Sequence, residues 1–348
     1  LKLLANTAEG DLLAMTLNLF TRPGRLFGIV VLYLFLNLIM LPTSARADEP
    51  FVGMWVWKEQ WINTQAERQR LIAFCQEHGI TRLLMNMHWD ESADPALPGL
   101  RYPEELRDLL ALGRDAGITV EALDGGRLIG PEERARYMAK LNAIIAFNKT
   151  LPADARFVGV HYDIEPHVTE VFKASYESRV PVMKDLLTFY AAVNAKLRLD
   201  APGMTLACDV PMWLDGRTEG DRSCMVEFMG TTKNLVHHIQ DLTDYIGIMS
   251  YRRFAVGKNS VTYHVLNEMG YADSVGRGVC AGVETGKTTA DPTESAIISF
   301  YGIPSDVFWS EVGKVHETFK DRPAYRGVLI HSYARFQEYL ADNPPKGE

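Results

Sequence analysis

Cysteine is scarce: only Cys75, Cys208, Cys224 and Cys280 occur in 348 residues, too few to staple a scaffold, and no C-x-x-C spacing suggests zinc or thiol redox chemistry. The first apolar segment reads Trp55-Val56-Trp57 where a metal hydrolase would carry His-x-His. The adjacent His237 and His238 point apart on a helix, so no metal is expected. No G-x-G-x-x-G follows a strand, which argues against an open dinucleotide-binding sheet, and no cofactor is expected. There is also no Lys/Arg block. With 36 basic and 44 acidic residues the chain carries a formal charge of -8, which argues against a nucleic-acid partner and suits a neutral or polar small substrate.

What is present is a globular composition, 47% hydrophobic and 23% charged. Arg22 and Arg25 precede an apolar run from Leu26 to Leu41, followed by Pro42 and Ala45-Arg46-Ala47. This is the basic start, apolar middle and small-residue cleavage site of a secretory signal. Residues 1–47 are therefore expected to be a signal peptide cut after Ala47, with the true start near Met15. The mature chain is expected in the periplasm or outside the cell, without stable membrane insertion after cleavage.

From Phe51 onward short apolar runs alternate with stretches of helical period. The strands read as 51–57, 81–87, 119–123, 157–164, 205–210, 245–250, 278–283 and 327–331, nearly continuous in apolar character, as parallel strands covered on both faces are. Between them, Asn63 or Thr64 caps a helix that stops at Gly79, and Pro131 opens another that ends before Pro152. Eight such units over residues 48–348 predict a single-domain (β/α)8 TIM barrel. Long strand-to-helix segments after strands four, five and seven mark that face as the functional mouth.

The densest chemistry lies in Val158-Gly159-Val160-His161-Tyr162-Asp163-Ile164-Glu165-Pro166. Strand side chains alternate, so His161, Asp163 and Glu165 share one face; three polar groups do not suit an apolar helix layer, which places them in the lumen. Two neighbouring carboxylates repel, raising one pKa so that it can serve as an acid while the other stays charged. This string resembles the catalytic strand of family 18 glycoside hydrolases, the chitinase-like barrels, whose pattern is D-x-x-D-x-D-x-E. Asp163 and Glu165 match its last two acidic positions, while Val158 and His161 stand at the first two. Leu123-Asp124-Gly125-Gly126 and Met249-Ser250-Tyr251 are similar to the family's motifs after strands three and six.

The resemblance implies substrate-assisted hydrolysis. Glu165 would protonate the leaving oxygen, Asp163 would orient the N-acetyl group, and Tyr251 would bond its oxygen. A second resemblance competes: Glu165-Pro166 is similar to the strand-four end of the large retaining clan of barrel glycosidases, which makes Glu284, at the end of strand seven, a candidate nucleophile. A third possibility is a carbohydrate-binding barrel without turnover. Five of six tryptophans, Trp55, Trp57, Trp61, Trp89 and Trp213, fall at or beyond strand ends, suiting the apolar faces of sugar rings. Trp57, Trp89, His161, Asp209, Trp213 and Tyr333 are the residues expected to contact a carbohydrate substrate.

Overall fold

Strand and helix alternate around a closed ring. The computed structural model describes residues 49–90, 98–127, 130–216, 222–287 and 296–347; the expected signal peptide lies outside these. The strands are β1 (Phe51–Val56), β2 (Arg82–Asn86), β3 (Thr119–Gly126), β4 (Gly159–Ile164), β5 (Thr205–Pro211), β6 (Tyr245–Met249), β7 (Gly278–Glu284) and β8 (Tyr325–His331). Each pairs in parallel with its sequence neighbours, and β1 pairs with β8 to close the barrel. The principal helices are α1 (Gln65–Glu77), α2 (Pro103–Asp115), α3 (Pro131–Lys149), α4 (Tyr176–Asp200), α5 (Leu235–Leu242), α6 (Leu266–Val275), α7 (Ser305–Phe319) and α8 (Tyr333–Asp342), one after each strand. The predicted (β/α)8 barrel is the fold observed.

Local signals act as the sequence suggests. The Thr64 hydroxyl accepts from the Glu67 amide at 3.2 Å to start α1, and Gly79 leaves the helix at φ +66°. Pro131 occupies the first turn of α3, where Leu141, Ile144 and Ile145 are buried. All four cysteines are buried, as expected of small core residues. Burial pushes the Cys75 thiol up to about 12.

Side-chain alternation divides the apolar interior in two. Outward residues such as Met54, Leu83, Val160, Ile246 and Val283 pack beneath the helices. Phe51, Trp55, Leu84, Leu123, Ala207, Tyr245, Cys280 and Leu329 form a separate lumenal core. Each fully buried Leu or Phe contributes roughly 2 kcal/mol. Among the described residues, no helix is long and apolar enough to cross a membrane.

Candidate active site

The lumen also carries charges, and they are linked. The Arg82 guanidinium lies 3.2 Å from Glu121 Oε1 and stacks over the Phe51 ring. Glu121 Oε2 accepts from the Tyr245 hydroxyl at 2.6 Å and faces His161 Nδ1 at 3.2 Å. His161 Nε2 lies 3.0 Å from Asp209 Oδ2, which accepts from the Trp55 indole at 2.8 Å. With a carboxylate at each ring nitrogen, His161 is held as an imidazolium. Burial alone would lower its pKa, but Asp209 and Glu121 together push it up to about 10. Burial likewise opposes ionisation of Glu121, yet contact with His161 and Arg82 holds its pKa below the ordinary range. Two cations and two anions thus alternate across the lumen, which makes their burial tolerable.

Asp163 and Glu165 stand above this chain at the end of β4. Gly125 and Gly126 give them their backbone setting: a Cβ on Gly125 would lie 2.6 Å from the Asp163 carbonyl oxygen, and the Glu165 amide donates to the Gly126 carbonyl at 2.7 Å. Asp163 Oδ1 and Asp209 Oδ1 are covered and make no hydrogen bond among the described residues. Burial and the charges of Asp209 and Glu165 hold the Asp163 pKa well above the carboxylate range, against the opposing pull of His161. Glu165, with its side chain about one-third exposed, has a pKa raised by burial and Asp209, while Arg127 and His331 draw it down. The site thus holds a covered carboxyl, Asp163, beside a more accessible one, Glu165; both pKa values are raised, where the sequence suggested that one of the pair would stay charged. His167 lies 3.6 Å from Glu165, and burial pushes its pKa down to about 4, so it stays neutral.

A second cluster occupies the opposite rim. The Trp57 indole donates to His331 Nε2 at 3.0 Å, leaving Nδ1 to donate to Glu284 Oε2 at 2.9 Å. Glu284 is 3% exposed, accepts from Arg335 at 2.6 Å, and takes the Gly286 amide on its other oxygen at 2.6 Å. The Tyr251 ring stacks on His331, with centroids 5.8 Å apart and planes at 19°. A Cβ on Gly282 would lie 2.7 Å from the Ile248 carbonyl oxygen, so the backbone of β6 requires glycine there, with the Tyr251 ring at 3.4 Å.

The expected site residues therefore separate into groups. Asp163, Glu165, Tyr251, Glu284 and Trp57 lie at the C-terminal ends of the strands or just beyond. Trp213 stands over the loop after β4, edge-on to His167 at 5.4 Å. His161 and Asp209 lie below the acids, inside the charged chain, and His161 has no exposed surface. Trp89, beyond the end of β2, has the Lys140 ammonium of α3 5.3 Å from its ring. Tyr333 is 1% exposed and packs edge-on against Trp61 and Phe74, between α8 and α1, where no substrate reaches.

Residues unnoticed as site components are Arg82, Tyr245, Arg127 and Arg335. Their sequence signal was a polar or cationic residue at the edge of an apolar run. Among the described residues no cluster of three or more His, Cys, Asp or Glu side chains could hold a metal.

No family model and no curated protein matches this sequence. Solved structures do resemble it. A calcium-binding mutant of Bacteroides uniformis beta-glucuronidase 2 is 12% identical with a TM-score of 0.51, covering 81% of this chain and 30% of that one. The likeness is one of fold. This chain spans less than a third of that enzyme's length. A family 18 chitinase from Pseudoalteromonas aurantia is 10% identical, covering 84% and 98% of the two chains at a TM-score of 0.46. The spore cortex-lytic enzyme of Bacillus cereus is 11% identical, covering 85% and 74% at 0.47.

Proposed function

We propose that the chain is an exported glycoside hydrolase acting on a polysaccharide or glycan that contains N-acetyl amino sugars, with Glu165 as general acid and Asp163 assisting. The observation that carries the reading is the Asp163–Glu165 pair at the C-terminal end of β4, one carboxyl covered and the other open to the mouth, both with pKa values raised.

In this reading Glu165 gives its proton to the glycosidic oxygen as the C–O bond breaks. The substrate's own acetamide oxygen closes on the anomeric carbon, forming a cyclic oxazolinium. Asp163 holds the acetamide N–H, and the Tyr251 hydroxyl, kept protonated by burial, donates to its oxygen. Water then opens the ring and returns its proton to Glu165, giving retention of configuration. His161 and Asp209 touch no substrate; they set the charge beneath Asp163.

The double-displacement alternative needs a free carboxylate at Glu284. Both of its oxygens already accept hydrogen bonds, from His331, Arg335 and the Gly286 amide, which favours the Asp163 reading. Glu165→Gln is expected to lower hydrolysis of N-acetylated oligosaccharides by about 100-fold or more while retaining binding. A wild-type protein that binds such sugars but cleaves none across a broad panel overturns the enzyme reading in favour of a carbohydrate-binding barrel. Export rests on the signal-like residues 22–47, and N-terminal sequencing of secreted material beginning at Asp48 is the expected result.

A further inference from the structure

Trp57 is the uppermost ring on the lumenal face of β1. Side chains alternate along the strand, so Trp57 follows Phe51 and Trp55 into the lumen, where it packs against their apolar core yet is only half-buried. Its remaining surface lies at the mouth that holds Asp163 and Glu165. The residue is held at both ends: the Asn86 amide donates to its carbonyl at 3.1 Å, and its indole N–H donates to His331 Nε2 at 3.0 Å. With its side-chain donor committed to the protein, the indole offers a ligand apolar ring surface alone, which suits the C–H face of a pyranose.

The imidazole that takes this bond is itself fixed. The His331 carbonyl accepts the Thr285 amide at 3.2 Å and the Thr285 hydroxyl at 3.0 Å. Its Nδ1 lies 2.9 Å from Glu284 Oε2, and the Tyr251 ring stacks on its face. Glu284 is buried and anchored from two sides, by the Gly286 amide on Oε1 and by Arg335 on Oε2, each at 2.6 Å. Arg335 reaches it by passing over Gly286, where a Cβ would lie 2.4 Å from Arg335 Cδ. A chain of side chains thus runs from α8 through the ends of β7 and β8 to the ring that follows β1. A carboxylate bonded on both oxygens is a fixed anchor, and the bond it makes to one imidazole nitrogen orients the other toward the indole.

We infer that Glu284 and Arg335 are positioning residues that act through His331, holding the Trp57 indole as a platform for the apolar face of a sugar ring beside the acid pair. The identity of the ligand rests on the glycosidase reading. Glu284 then serves substrate binding at a distance, without touching the sugar.

The test reads the Trp57 indole directly and then its effect on binding. In isotope-labelled protein the Trp57 indole N–H signal is assigned by its absence from Trp57→Phe. In Glu284→Ala that signal should shift and exchange faster with solvent, while the signal of Trp309, on α7, stays in place. Binding of a chitin tetramer is then measured by calorimetry in the Glu165→Gln background, without turnover. Trp57→Ala and Glu284→Ala should each weaken it on the order of tenfold. The double variant should also lose about tenfold rather than about 100-fold, because both changes remove the same platform. Glu284→Gln, which keeps an oxygen for His331, should recover most of the affinity. Arg335→Ala should act in the same direction by about threefold, and it carries the same cycle with Trp57→Ala should Glu284→Ala not fold by circular dichroism.

An unmoved Trp57 signal, losses that add in the double variant, or tetramer binding unaffected by Trp57→Ala overturns the inference. Failure of the tetramer to bind overturns it together with the N-acetyl sugar reading. If the losses do not add but wild-type protein cleaves nothing, the platform stands and the hydrolase reading fails. If wild-type protein cleaves the oligomers while the two losses add, the hydrolase stands and the positioning role fails.

Discussion

Replacing His161 by asparagine removes the cation between Glu121 and Asp209 and tests the electrostatic base of the site. The difference between an ordinary histidine at 6.5 and His161 at about 10 corresponds to about 5 kcal/mol of coupling at a fully buried group. In the folded protein the ring holds its proton through a pH range in which the unfolded chain has released it. The associated stability is therefore complete below pH 6.5 and lost as pH rises toward 10. Chemical denaturation of the wild type should show stability falling by somewhat more than 1 kcal/mol per pH unit across that window from this group.

The variant should be destabilised by about 3–5 kcal/mol at pH 6, because two buried carboxylates lose their shared counter-charge, and its profile from pH 6.5 to 10 should be flatter. Asp209→Asn offers a milder version: it leaves Glu121 as the partner of His161 and should move the alkaline loss to lower pH. If His161→Asn and wild type lose stability in parallel between pH 6.5 and 10, His161 is not held as an imidazolium and the reasoning fails.

Other perturbations follow from the same geometry. Because Arg127 draws the Glu165 pKa down, Arg127→Gln should extend activity to higher pH, whereas Asp209→Asn should pull the alkaline limb down; pH profiles of kcat/KM read both shifts. Glu268, buried on α6, has its pKa pushed up to about 8 by burial and by Asp215. Its folded form stays protonated while the unfolded form ionises, so stability is lost as pH rises from 4.5 toward 8. Glu268→Gln should gain up to about 3 kcal/mol at pH 7 and far less at pH 5, measured by denaturation at both. Gly247→Ala should disrupt the lumen, since a Cβ there would lie 2.4 Å from Asp209 Oδ1 and 2.8 Å from Leu329; a melting temperature equal to wild type would show that Asp209 has room to move. Glu284→Gln should leave hydrolysis largely intact if Asp163 assists, and a loss of 100-fold or more would restore Glu284 as nucleophile.

The barrel was legible because each of its parts is local. Eight apolar runs, the Thr64 cap, Gly79 and Pro131 carry strand, helix start and helix stop within a few residues of sequence. Alternation along β4 was enough to place His161, Asp163 and Glu165 on one face. Strand ends were less legible: β3 runs to Gly126 and β8 begins at Tyr325, because pairing with a neighbouring strand, rather than local propensity, decides where a strand stops.

Local sequence could place Asp163 and Glu165 at the mouth, but it could not supply their surroundings. Closure of the barrel brings Trp55 against Asp209, 154 positions away, and Tyr245 against Glu121, 124 away. No spacing rule encodes such contacts. Tyr333 looked like a sugar-facing aromatic because it follows a strand end, yet helix packing buries it. The order of residues determined which side chains can face the lumen. Only the closed tertiary structure decided which charges meet there, and hence which acid keeps its proton, because pKa values depend on through-space distance and burial rather than on position in the chain.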